Sequence, residues 1–143
     1  MNYEESVTLM VKVIMGVKGT GKTKQLIEMV KEALQAEAGD VVVLEKDRKL
    51  TYDIPYKARL VFANEFSFGT FEFLKGFISG LHAGNYDITS VFIDSLYKMV
   101  DSKEGVEDFL DWLDKYGTAA GIKFTITISA DVNDATEGIK KFF

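Results

Sequence analysis

Met10-Val-Lys-Val-Ile-Met-Gly-Val-Lys-Gly-Thr-Gly-Lys-Thr23 is the stretch that decides the fold. An apolar run, Met10–Met15, passes straight into a glycine-rich turn, Gly16–Gly21, and an amphipathic stretch leaves it. From Gly16 to Thr23 the residues match the pattern G-x-x-x-x-G-K-[ST] at every required position. Glycines let the backbone wind tightly enough to turn several N–H groups toward one point. The following helix N-terminus adds its partial positive charge, so the two together cradle anionic oxygens. In such a loop Lys22 reaches the β- and γ-phosphates of a nucleotide and Thr23 offers a hydroxyl to Mg²⁺. Gly16, Val17, Lys18, Gly19, Thr20, Gly21, Lys22, Thr23 and Lys24 are therefore the candidate nucleotide-binding residues. The plainer alternative is a flexible strand–helix turn with a surface lysine.

Outward from this stretch, short β-branched runs alternate with longer amphipathic ones. A helix is predicted over Lys22–Glu37, with Leu26, Ile27, Val30, Ala33 and Leu34 at spacings of three and four. Val41–Leu44 reads as a strand buried on both faces, Glu45–Pro55 as a charged loop, and Arg59–Phe62 as a short strand near an edge. A second helix is predicted over Thr70–His82, with Phe73, Phe77, Ile78 and Leu81 inward and Gly84-Asn85 closing it. Thr89–Asp94 is the next strand, followed by a loop or short helix over Leu96–Val100. Glu104–Tyr116 follows as a helix with Val106, Phe109, Leu110 and Leu113 inward. Gly117–Gly121 reads as a connection, Lys123–Ser129 as an alternating strand and Asp134–Phe143 as a last short helix. The alternation predicts an α/β fold: three layers, α/β/α, around a mostly parallel sheet of about five strands, with the phosphate site at the strands' C-terminal ends. Residues 10–143 form one domain on this reading. Residues 1–9 are a polar extension, either an upstream start or a mobile tail.

Composition narrows the chemistry. The 143 residues suit one domain, and 47% hydrophobic with 27% charged residues is a globular composition that excludes disorder. No apolar run approaches the roughly 20 residues of a membrane span, and the acidic start is unlike a signal peptide, so a cytoplasmic protein with no membrane partner is expected. There are no cysteines, which excludes disulfides, cysteine-bound zinc and thiol catalysis. The one histidine, His82, reads as a helix C-terminal cap. A net charge of −5 argues against a nucleic-acid partner. Residues 1–60 nevertheless carry 10 Lys/Arg against 9 Asp/Glu, so an anion is expected in the N-terminal part.

Val91-Phe92-Ile93-Asp94 describes a buried strand ending in a carboxylate, which beside a phosphate loop supports Mg²⁺ through water. With this second motif the chain resembles the P-loop NTPases over residues 10–130: Gly16–Thr23 looks like the Walker A loop and Asp94 like the Walker B acid. Ile128-Ser129-Ala130-Asp131 does not fit the guanine-recognition motif of GTPases. The chromosome-partitioning type places a lysine where Val17 stands, and an ABC signature is absent. Asp94-Ser95-Leu96 is similar to the RecA-like branch. That resemblance implies Lys22, Glu45 and Asp94 as catalytic residues, with Glu45 orienting or deprotonating the attacking water, and Thr23 and Asp94 as metal ligands. The alternative for Glu45 is a surface pair with Lys46 or Arg48. Ser129 is a candidate γ-phosphate sensor or a plain strand-end residue. Met10–Thr23 also resembles small bacterial ATP-binding proteins labelled twitching-motility (pilus-retraction type) ATPases. Those motors carry a further domain and His-rich boxes, so the likeness implies the RecA-like nucleotide fold rather than pilus retraction.

Only two arginines occur, Arg48 and Arg59, and Arg48 is the better candidate for neutralising transition-state charge. The aromatic cluster Phe66, Phe68, Phe71, Phe73 and Phe77 packs a helix on the sheet or forms an exposed patch for a protein partner or a second copy. The expected cofactors are ATP and Mg²⁺ and the expected function is Mg·ATP binding with weak hydrolysis. A non-hydrolysing nucleotide-responsive interaction module and a small-molecule kinase are the alternatives. A type II thymidine kinase likeness around Lys46–Arg48 is weak, because an Asp-Glu pair and zinc-binding cysteines are missing.

Overall fold

Strands buried on both faces favour continuous apolar runs, and Val41–Leu44 and Val91–Ile93 form strands on such runs. The structure is a computed structural model that describes residues 8–36, 39–50, 52–66 and 68–143. Strand β1 (Val11–Gly16) leads into helix α1 (Lys22–Gln35), then β2 (Asp40–Glu45) and β3 (Arg59–Phe62). Helix α2 (Phe71–Gly84), β4 (Ile88–Ile93), α3 (Val106–Ala120), β5 (Lys123–Ser129) and a single-turn α4 (Glu137–Lys140) follow. Short 3₁₀ turns leave β3, β4 and β5 at Ala63–Glu65, Leu96–Lys98 and Val132–Asp134. The predicted Glu37 end of the first helix lies outside the described residues, as do residues 1–7.

All five strands are parallel, in the order β1-β5-β4-β2-β3. Right-handed crossovers then fix which face each helix covers. The chain moves from β1 out to β2 and on to β3, but travels back from β3 to β4 to β5. Helix α1 and the 46–58 loop must therefore lie on one face, and α2 and α3 on the other. Burial agrees. Val41 and Val43 of β2 pack with Leu26 and Val30 of α1 and with Leu50, Ile54 and Ala58 of the loop. The alternate residues Val42 and Leu44 pack with Leu74 and Ile78 of α2 and with Phe109, Leu110 and Leu113 of α3. Fully burying each such side chain contributes about 1.5–3 kcal/mol.

Two predicted features shift. Helix α2 turns Phe71, Leu74 and Ile78 inward, leaving Phe73 43% exposed and Phe77 and Leu81 half-buried. Both sets have helical spacing. What selects the phase is the neighbour, because Phe71 stacks on Phe109 of α3 with ring centroids 4.9 Å apart. Helix α3 also runs on through the predicted connection to Ala120. Gly117 permits this. A Cβ there would sit 2.9 Å from the Met10 Cβ and closer still to the Ile122 carbonyl oxygen. Gly121, at φ 73°, then closes the helix by donating its N–H to the Gly117 carbonyl.

The start of β1 is tied down by the Met10 N–H, which donates to Asp114 Oδ1 at 2.7 Å. The chain end returns to the same strand, where Val13 N–H donates to the Phe142 carbonyl at 2.8 Å. Among the described residues no helix is long and apolar enough to cross a membrane.

Candidate functional site

Lys18, Gly19, Gly21, Lys22 and Thr23 of the first motif, with Lys24, line a hollow of about 390 Å³ at the C-terminal ends of β1, β4 and β5, whereas Gly16, Val17 and Thr20 do not line it. Gly19 and Gly21 sit at φ 89° and 84°, a left-handed backbone that only glycine adopts without strain. Gly16 has no room for a Cβ, which would fall 2.6 Å from Thr20 Oγ1. Thr20 Oγ1 donates to the Val17 carbonyl at 2.8 Å, and Lys22 Nζ donates to the same oxygen at 3.0 Å. Lys22 is 8% exposed, so its ammonium is folded back across the loop rather than into solvent.

Helix α1 starts here without the usual safeguards. Its first residue follows Gly21, no side chain caps it, and its first turn holds no acid. Instead that turn carries Lys22, Thr23 and Lys24. Cations at a helix N-terminus oppose the macrodipole, at about 0.3–1 kcal/mol each. Helices α2 and α3 both carry acids in their first turns, and α2 is capped by Thr70 Oγ1 accepting from Phe73 N–H at 3.0 Å.

Asp94 follows β4 directly and faces the start of α1. Thr23 Oγ1 lies 3.4 Å from its Oδ1 and 3.5 Å from its Oδ2. The carboxylate is held from behind by Thr127 of β5, whose hydroxyl donates to Asp94 Oδ1 at 2.7 Å and accepts from Ser95 N–H at 2.7 Å. Thr127 is fully buried. Ser95 sits at φ 58°, the one non-glycine with positive φ among the described residues. That turn costs of order 1 kcal/mol or more and is held by the Thr127 bond. It sends the chain into the Leu96–Lys98 turn, which brings Lys98 to the hollow.

Glu45 ends β2 as Asp94 follows β4, and the two are neighbours because Leu44 pairs with Ile93. Its side chain does not line the hollow. It is 3% exposed, and it accepts from Lys49 N–H at 2.8 Å and from Leu50 N–H at 3.0 Å. The carboxylate therefore folds its own loop. Burial pushes its pKa above the ordinary 4.5. The two N–H bonds oppose the shift, and the charges of Asp94 and Asp47 add to it. The predicted surface pair with Lys46 or Arg48 does not form. Arg48 pairs with Glu65 and lies over the Phe62 ring at 4.6 Å, away from the hollow. His82 shares a 2.8 Å hydrogen bond with the Tyr116 hydroxyl.

The cations missing from the arginine count are lysines. Lys49 and Lys98 line the hollow with Lys18, Lys22 and Lys24. Each of the two follows a strand-end acid by four residues: Glu45 to Lys49, Asp94 to Lys98. That repeat is the signal by which the sequence could have shown them. Ser129, at the end of β5, also reaches the hollow.

Comparison with protein-family models and with curated proteins finds no match to this chain. What the site can do rests on its own chemistry. Five lysines and one carboxylate line it in a chain of net charge −5, so its lining is strongly cationic. No three carboxylate or imidazole groups gather to hold a metal among the described residues. A Mg²⁺ ion carried in with phosphates and held by one hydroxyl and one carboxylate needs no such cluster.

Proposed function

We propose that this chain is a P-loop nucleotide-binding protein with a RecA-like site, which binds Mg·ATP in the hollow over Gly16–Thr23 and hydrolyses it slowly. The observation that carries this reading is the first turn of α1. It pairs an uncapped helix N-terminus and two lysines with a hydroxyl that meets Asp94. A bound phosphate chain offsets the cost of that arrangement.

The residues fit the metal nucleotide. The loop amides and Lys22 hold phosphate oxygens, with Lys22 exchanging the Val17 carbonyl for phosphate. Thr23 and Asp94 hold Mg²⁺, Asp94 through water, while Thr127 keeps the carboxylate aimed. The metal, when bound, supplies neutralising charge to the phosphate oxygens. Lys49, Lys98 and Ser129 reach the same space and add cations and a hydroxyl.

Slow turnover follows from the acids. Among the lining residues Asp94 is the one carboxylate, and it serves the metal. Glu45, the candidate base, has its oxygens engaged by Lys49 and Leu50, so it acts as a positioning residue for the Lys49 loop. The test is a titration with ATP, with and without Mg²⁺, on wild type and Thr23→Ala. Wild type should bind more tightly with Mg²⁺, and Thr23→Ala should lose most of that gain while still binding ATP. A magnesium effect unchanged by Thr23→Ala contradicts the assignment.

A second reading, a nucleotide-responsive interaction module, is favoured by the outer face of α2. Phe66 is 46% and Phe73 43% exposed, and an apolar hollow of about 550 Å³ is lined by Phe73, Gly76, Phe77, Gly80 and Leu81. If this face pairs two copies, sedimentation will show a concentration-dependent dimer that Phe73→Ser abolishes. A monomer throughout removes self-association from this reading.

A further inference from the structure

A second hollow, of about 230 Å³, opens beside the first over the ends of β2, β3 and β4. It shares Lys98 with the first and is otherwise walled by Lys46, Asn64, Asp101 and the rings of Phe66 and Phe68. Backbone hydrogen bonds tie its walls together. Asn64 N–H donates to the Lys46 carbonyl at 3.0 Å, Asp101 N–H to the Gly69 carbonyl at 2.8 Å, and Lys98 N–H to the Ser95 carbonyl at 3.0 Å. The hollow therefore exists without any loop having to close over it.

Among the described residues neither Lys46 nor Lys98 has a carboxylate within ion-pair distance. The aromatic wall, by contrast, is braced. Phe66 and Phe68 stack at 6.2 Å between centroids, and Phe68 meets Phe77 edge-on at 4.8 Å. Two free ammonium groups beside a fixed aromatic wall complement a flat ring that bears an anionic group. An amide and a carboxylate stand by for its other polar atoms. The volume is below the roughly 300–1,000 Å³ of pockets that take drug-sized ligands, so it suits one ring and not a whole nucleotide.

We propose that this hollow binds a small planar anion, a single ring carrying a phosphate or a carboxylate, beside the Gly16–Thr23 site and separate from it. Lys98 stands on the boundary and faces both ligands. Lys46, Asn64 and Phe66 do not line the first hollow, so the inference holds whether or not Mg·ATP binds there.

Phenyl phosphate, a flat ring with a dianionic group, is the probe, titrated calorimetrically against wild type, Lys46→Ala, Phe66→Ala and Lys22→Ala. Wild type should bind it. Lys46→Ala should weaken binding about tenfold or more, the loss expected for one charge-assisted contact. Phe66→Ala should weaken it about threefold or more through lost stacking. Lys22→Ala should leave it within about twofold, since that lysine serves only the first hollow. Titrating Lys46→Ala with Mg·ATP separates the two sites: nucleotide affinity should match wild type. The proposal is overturned by no binding to wild type up to about 10 mM probe, by affinity that Lys46→Ala or Phe66→Ala leaves intact, or by affinity that Lys22→Ala removes.

Discussion

Glu45 shows how a residue's surroundings set its role. The resemblance to RecA-like proteins implies a base, yet the side chain is buried and bonded to two N–H groups of its own loop. Because burial raises its pKa, the folded chain holds this proton more tightly than the unfolded chain does. Its contribution to stability is therefore fullest below pH 4.5 and is lost as the pH rises through the raised value. Chemical denaturation of wild type and Glu45→Gln across that range should show wild type losing ground to the variant as pH rises. A pH-independent difference contradicts the shift. Lys22, Thr23 and Asp94 each have a fixed place in a local pattern, so the sequence singles them out, and the fold brings them to one hollow. Thr127 was not legible as a site residue, since a threonine in an alternating strand does not reveal that strand β5 lies beside the Asp94 strand. Lys49 and Lys98 were hidden for a similar reason: lysines in charged loops usually point to solvent.

Elements were legible where a run has one period. Arg59–Phe62 and Lys123–Ser129 form as predicted, at those residues. Helix α2 was misread in part: Ile78 is buried and Phe77 and Leu81 pack against the core as expected, but Phe71 and Leu74 take the inward place expected of Phe73, and the stacking of Phe71 on Phe109 favours that choice. The end of α3 was misread because Gly117 resembles a helix stop. Its actual service is close approach, letting the helix pass the Ile122 carbonyl and Met10. Gly117→Ala should therefore destabilise the fold by about 2 kcal/mol or more, opposite in sign to the ordinary glycine-to-alanine change, which favours a helix. Urea denaturation measures it, and an unchanged or raised midpoint would show that the close approach is not required. The same logic explains α1: its first turn is poor as a helix start and suitable as an anion cradle.

At the scale of the whole molecule, the strand order gathers distant residues at one end of the sheet. Placing β5 between β1 and β4 sets Ser129 between the Gly16–Thr23 loop and Asp94, and lets Thr127 reach the Asp94 carboxylate. The α/β class and the parallel sheet could be read from the alternation of runs. The order of the strands could not, because it is set by long-range pairing that no local pattern encodes. The resulting charge distribution is uneven, with five lysines around one hollow in an acidic chain. That imbalance, the uncapped helix and the Thr23–Asp94 pair all support the proposal that this hollow binds Mg·ATP. The most direct test is calorimetric titration of wild type and Lys22→Ala with Mg·ATP. The account predicts binding by wild type and a loss of about tenfold or more in the variant, with the fold intact by circular dichroism. No binding by wild type, or equal binding by both, would contradict it.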